Sequence, residues 1–198
     1  MSNAKQTGFA KLLSFGVGAE EAEIGKDKLY ERYHSLLSVM CQEAEDIRTV
    51  SGLPESSAVL PKLLGYIASR RITDGFEFGT RHTEEEICHF LRGLFLGLSV
   101  ETVYMLTLDA GGRVTGCEYM GEGTVNGSDV MPRRMVECAV RRGAKSVILA
   151  HNHPGGNAEP STDDIATTSA LVIVMSAAGV SLGAHYVVSG GVCKRIPV

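Results

Sequence analysis

Apolar residues recur along this chain at two different spacings, and the change from one to the other divides it. From Lys28 onward Leu29, Tyr33, Leu36, Leu37 and Met40 follow intervals of three and four, which predicts a helix. A second helical stripe, Val59, Leu60, Leu63, Leu64 and Ile67, runs within Ser56 to Arg71. Arg70 and Arg71 then sit where cations suit the helix C-terminus. "VSGLPES" is a tight connector between the two helices. Residues up to about Gly25 show no clear period and read as including a mobile start. "TDGFEFGTRH", Thr73 to His82, carries two glycines and mixed polarity, so it reads as a linker. The expected organisation is a helical module over 1–75 and a larger domain over 83–198.

The larger domain opens on Thr83, a helix N-cap with Glu86 three residues on to complete a capping box. Ile87, Phe90, Leu91, Leu94, Phe95 and Leu98 continue as a helical stripe. The spacing then changes. "ETVYMLTLD", "AGGR" and "VTGCEYMG" read as strand, turn and strand, with Gly111 and Gly112 supplying the turn dihedrals. "MPRRMVECAVRRG" is a helix with Pro132 in its first turn and Gly143 as terminator. "KSVILA" is short and almost wholly apolar, as in a sheet covered on both faces. A helix from about Thr162 to Ala178 follows, and "VSLGAHYVVSG" supplies one or two last strands. Strands alternating with helices predict an α/β fold.

Composition narrows the classes. The 198 residues are 44% hydrophobic and 21% charged, which suits a soluble globular protein with a sizeable core. A formal charge of -4 and a pI near 5.9 supply no basic footprint for nucleic acid, so DNA is a possible partner that charge does not support. Five scattered cysteines without a C-x-x-C pair point to reduced thiols and a cytoplasmic location. The longest apolar run, "ALVIVMSAAGV", is too short to span a bilayer, and the N-terminus lacks a secretory order.

The stretch richest in chemistry is "LAHNHPGGNAEPSTDDIA", Leu149 to Ala166. If the preceding strand persists to His151 or His153, residues two apart point alike and both imidazoles share a face. Such a pair can bind one divalent ion. Asp164 stands at the start of the next helix, where Ser161 fits an N-cap and the dipole favours an ionised carboxylate. Two histidines and an aspartate leave a fourth position for water, the arrangement of a catalytic zinc site. The plainer alternative makes His151 and His153 loop residues bonded to backbone, and "STDD" only a cap.

His151-x-His153 followed by Ser161-x-x-Asp164 resembles the JAMM (MPN-plus, JAB) metalloprotease motif. With "GTVNGSDVMPRRMVECAVRRGAKSV" upstream, the region from about Ser99 onward resembles the RadC branch of that family. The resemblance implies the JAMM/MPN fold, a cytidine-deaminase-like mixed sheet flanked by helices, and a zinc hydrolase of peptide or isopeptide bonds. It implies metal ligation by His151, His153 and Asp164, and oxyanion support from Ser161. A glutamate on an upstream strand would serve as general base. Glu101, at the head of "ETVYMLTLD", matches that position best, with Glu118 and Glu122 as competitors. The chain departs from the RadC-like pattern at Gly155, Met131 and Arg134, where Ser, His and Glu are usual. These departures bear on substrate contacts rather than on the metal.

RadC-like proteins often begin with a helix-hairpin-helix, and "DIRTVSGLPESSAVLPKLLGYIASRR" looks like a degraded one. Such a hairpin offers successive backbone N–H groups to a phosphate, whereas Pro54 has none to offer and Glu43, Glu45, Asp46 and Glu55 surround it. A helical packing module is the preferred reading. His34, His82, His89 and His185 read as surface or core residues, with His185 best placed to lie near the site. The expected partner is an unidentified protein or peptide substrate, with no membrane. The alternative function is a DNA-repair or mobile-element accessory factor whose metal site is structural or vestigial. A zinc deaminase is set aside, because H-x-E and P-C-x-x-C are absent.

Overall fold

The computed structural model describes residues 2–123, 130–154 and 156–197, and the side chains of all but 2–7, 130 and 131 among them. Gly155, the Met131 side chain and most of the "GTVNGSD" stretch therefore lie outside the described residues. The chain divides into two compact units, Met1–Arg70 with Leu96–Ser99, and Arg71–Phe95 with Val100–Val198. The division thus falls at Arg70/Arg71, ahead of the stretch read as a linker, and the short return at Leu96–Ser99 left no signal in the hydrophobic pattern.

In the helical unit, α1 (Ser2–Leu13) and α2 (Ala19–Tyr33) replace the mobile start. Phe9, Leu13 and Ala22 are buried against Leu29, Val39, Ile47, Leu53 and Ala58. Part of this face is built from Ala and Gly, which blurs the apolar period and explains why the pattern concealed it. The run read as one helix through Met40 breaks at His34, whose φ of 64° ends α2 before α3 (Leu36–Met40). α4 (Ala44–Ser51) and α5 (Glu55–Thr73) flank Gly52, which at φ 76° closes α4 by donating its N–H to the Arg48 carbonyl. The expected inward stripe of α5 is reversed in part. Val59, Leu63 and Ile67 are exposed, while the small residues Ser57, Ala58, Pro61 and Gly65 face inward. Close approach of backbones, rather than bulky side chains, sets that packing.

In the second unit, α6 (Glu84–Phe95) begins with the expected capping box. Thr83 N–H donates to Glu86 Oε2 at 2.8 Å, and Glu86 N–H to Thr83 Oγ1 at 3.3 Å. β1 (Thr102–Leu108), β2 (Val114–Glu122), β3 (Ser146–Asn152), β4 (Ser181–Ser189) and β5 (Val192–Arg195) form one mixed sheet in the order β2-β1-β3-β4-β5. Only β3 and β4 run parallel, and they are joined by the crossover helix α8 (Thr162–Ala177). α7 (Val130–Arg141) connects β2 to β3. Met135 and Ala139 of α7 and Leu171 and Met175 of α8 cover one sheet face, against Val103, Met105, Val147 and Leu149. The opposite face carries Tyr186, whose hydroxyl donates to Glu84 of α6 at 2.9 Å. The sheet is covered on both sides, which is why β3 is buried along nearly its whole length.

The stretch read as a linker belongs to this unit. Gly79 N–H donates to the Val114 carbonyl at 2.7 Å and Val114 N–H to Thr80 at 2.9 Å, while Phe76 stacks on His82. Among the described residues no helix is long and apolar enough to cross a membrane. The two faces of α8 give a direct check. Leu171→Ala, at 1% exposure, should cost about 2–5 kcal/mol in chemical denaturation. Ile173→Ala, at 71% exposure, should stay within about 0.5 kcal/mol.

Candidate metal centre

β3 is the central strand, paired antiparallel to β1 with Val103 opposite His151, and parallel to β4 with His151 opposite Val187. Strand pairing continues past its end, because His153 N–H donates to the Val188 carbonyl at 3.0 Å. The two-residue alternation therefore holds, and both imidazoles emerge on one face with their Nε2 atoms 3.1 Å apart. The turn beyond is anchored by Ser189, whose hydroxyl lies 2.8 Å from both the His153 and Gly156 carbonyls. His153 Nδ1 lies 3.1 Å from the Asn157 carbonyl, a group that can only accept. Its Nδ1 therefore donates there, and Nε2 is the nitrogen that faces inward.

Asp164 reaches the same point from the first turn of α8. Ser161 caps that helix: Asp164 N–H donates to Ser161 Oγ at 3.0 Å, and Ser161 N–H donates to Asp164 Oδ2 at 2.7 Å. The reciprocal pair leaves the carboxylate little freedom. It places Oδ1 3.1 Å from His151 Nε2 and Oδ2 3.5 Å from His153 Nε2. Glu101 stands on the neighbouring strand's approach, immediately before β1, and its carboxylate lies within 4.8 Å of the same two imidazoles.

Asn152, between the two histidines, is a residue that sequence reasoning did not single out. Its side chain clamps the backbone on either side of Glu101, accepting from Thr102 N–H at 2.7 Å and donating to the Val100 carbonyl at 3.1 Å. The Glu101 carbonyl is held in turn by Gly123 N–H at 2.8 Å. An amide is suited to this position because it donates and accepts at once, a clue present in the residue type.

Burial separates the titrating groups. It pushes His151 down to about 4, against the nearby Asp164 charge, and His185 down to about 3, so both imidazoles are neutral near pH 7. For Asp164 burial acts upward, yet hydrogen bonds from the Ser161 hydroxyl and backbone N–H, with the adjacent histidines, hold it below the usual carboxylate value. Glu101 is raised, mainly by burial, with Asp164 adding to the rise and His153 opposing it. One carboxylate is kept ionised and the other kept ready to take a proton.

Other positions fall as follows. Ser161 is exposed, and its hydroxyl is engaged by Asp164. Glu118 is tied to Arg142 at 2.5 Å, and Glu122, the other competitor, ends β2 and is exposed. Arg134 is exposed on α7. His185 is fully buried, with Nε2 3.0 Å from His151 Nδ1. His34, His82 and His89 lie outside the cluster, at the end of α2, before α6 and within it.

Residues 81–194 match the family described as the RadC-like JAB domain. The chain belongs to the RadC-like JAB family. Similar relatives include a UPF0758 protein of Herminiimonas arsenicoxydans and one of a Janthinobacterium species, each 32% identical over 91% of this chain and 81% of the relative. A UPF0758 protein of Finegoldia magna is 30% identical over 90% of this chain and 80% of its own length. In this RadC-like JAB chain the five-stranded mixed sheet flanked by helices is the family's architecture.

The depressed imidazoles of this domain carry a pH signature. In the unfolded chain both titrate near the ordinary value of about 6.5, so the unfolded state takes up protons first. Their contribution to stability is complete above that pH and is lost as pH falls towards about 4 for His151 and about 3 for His185. With chelator present, the Tm should fall between about pH 6.5 and 5, above the carboxylate range. A flat profile over that window would contradict the burial of these rings.

Proposed function

We propose that this RadC-like JAB domain is a zinc-dependent hydrolase of peptide or isopeptide bonds. The observation that carries the reading is the convergence of His151 Nε2, His153 Nε2 and the Asp164 carboxylate at 3.1–3.5 Å from one another. Ligand atoms around a tetrahedral zinc, bonded at about 2.0–2.1 Å, stand about 3.3 Å apart. The donor set fits as well: burial keeps His151 neutral and hydrogen bonds favour an ionised Asp164, the protonation states that a metal requires. His151, His153 and Asp164 would hold the ion. When bound, zinc supplies Lewis acidity, making water nucleophilic at neutral pH and polarising a carbonyl.

The remaining steps belong to the chain. Glu101, clamped by Asn152, takes a proton from the attacking water at its carboxylate and delivers it to the leaving nitrogen. The water oxygen forms the new C–O bond, the C–N bond breaks, and the two protons of the water are divided between the products. Its raised pKa suits a group that must hold and then release a proton. Ser161 first orients Asp164, and from its exposed place at the helix start it would turn its hydroxyl proton from that carboxylate to the developing oxyanion. The net charge of -4 favours a protein substrate over a nucleic acid.

Purified protein should carry about one zinc per chain, and His153→Ala or Asp164→Ala should reduce that to near zero in metal analysis. A wild type that takes up no zinc ends this reading. Glu101→Gln should keep its zinc yet lose about 10²-fold or more in cleavage of a peptide or isopeptide library. Undiminished cleavage would remove Glu101 from the base role.

A further inference from the structure

A chain of hydrogen bonds runs behind the cluster, and its polarity is set at one end. Thr168 Oγ1 lies 2.6 Å from the Asp164 backbone carbonyl. A carbonyl cannot donate, so the hydroxyl proton of Thr168 must lie on that contact. Thr168 Oγ1 also lies 2.7 Å from His185 Nδ1, and with its only proton already placed it can only accept there. His185 therefore carries its proton on Nδ1. The ring is fully buried and its nitrogens face Thr168 and His151 rather than a carboxylate, so it holds that one proton and leaves Nε2 as a lone pair. That lone pair lies 3.0 Å from His151 Nδ1, which must donate to it. His151 thus donates from Nδ1, and Nε2 is the nitrogen turned towards His153 and Asp164.

The geometry points to His185 and Thr168 as positioning residues that lock His151 in the Nδ1–H tautomer, so that its Nε2 is committed to the metal. The inference rests on the zinc reading above. The relay begins and ends on Asp164: its carboxylate faces His151 Nε2, and its carbonyl fixes the proton on His151 Nδ1 through two intermediaries. With His153 set by the Asn157 carbonyl, each imidazole has its outer nitrogen occupied by a partner able only to accept. Both Nε2 atoms then face the Asp164 carboxylate, an arrangement suited to a shared cation.

The test combines zinc affinity, by competition with a chelator, and 15N NMR of the His151 ring in metal-free protein. The wild type should show a pyrrole-like Nδ1 and a pyridine-like Nε2 without zinc. Thr168→Val, which keeps the side chain's shape, should mix the tautomers and weaken zinc binding roughly tenfold, and Thr168→Ser should restore both. His185→Leu should weaken binding roughly 10–100-fold. Thr168→Val keeps the test decisive if His185→Leu fails to fold. Should the wild type bind zinc while Thr168→Val matches it in affinity and tautomer, the relay is wrong and the zinc site stands. Should the wild type bind no zinc, the hydrolase reading fails, and the tautomer in wild type and Thr168→Val still judges the relay by itself.

Discussion

The reciprocal pair of hydrogen bonds between Ser161 and Asp164 is the interaction on which the centre depends. It ends the loop, starts α8, and delivers a carboxylate to the tip of β3 in one geometry. Free N–H groups at a helix start need acceptors, and here the acceptor that satisfies one of them also faces two imidazoles. Because α8 is the crossover between two parallel strands, its first turn begins next to where the preceding strand ends. Fold and site therefore share a cause: the connection that the parallel pair requires is also the one that carries the carboxylate facing both imidazoles.

The strand side works by alternation. In His151-Asn152-His153, the outer residues turn towards α8, and Asn152 turns back to grip the entry to β1. Three consecutive residues thereby coordinate two jobs, presenting nitrogen atoms on one face and holding Glu101 from the other. Burial keeps His151 and His185 neutral and Glu101 above its ordinary value, while hydrogen bonds from Ser161 keep Asp164 charged against it. No large positive surface is needed for any of this, in keeping with the acidic balance of the chain.

Much of the α/β half was legible because its signals are local. Thr83 and Glu86 announce a cap, Gly143 terminates a helix at φ 65°, and "KSVILA" reads as a buried strand. The proximity of His151, His153 and Asp164 could be anticipated from spacing because each lies at the end or beginning of a regular element. The helical half was harder. Its inner faces use Ala22, Gly25, Ala58 and Gly65, which carry little hydrophobic signal, while Val59, Leu63 and Ile67 look outward and mislead. Asn152 and Thr168 escaped notice for another reason: their partners are backbone groups and a histidine far along the chain, and a sequence shows neither. The short return of Leu96–Ser99 to the helical unit is likewise a tertiary event without a local signature.

The pairing of Val103 with His151 has an energetic corollary. Sliding β3 by a single residue along its neighbours would exchange its two faces, turning Asn152 towards α8 and both imidazoles away from it. A strand so apolar could bury itself almost as well in the shifted alignment, since hydrophobicity discriminates poorly between two covered faces. The Asn152 clamp and the His151–His185 contact exist in the observed alignment alone and supply the discrimination that hydrophobicity lacks. The centre thereby proofreads the fold that builds it.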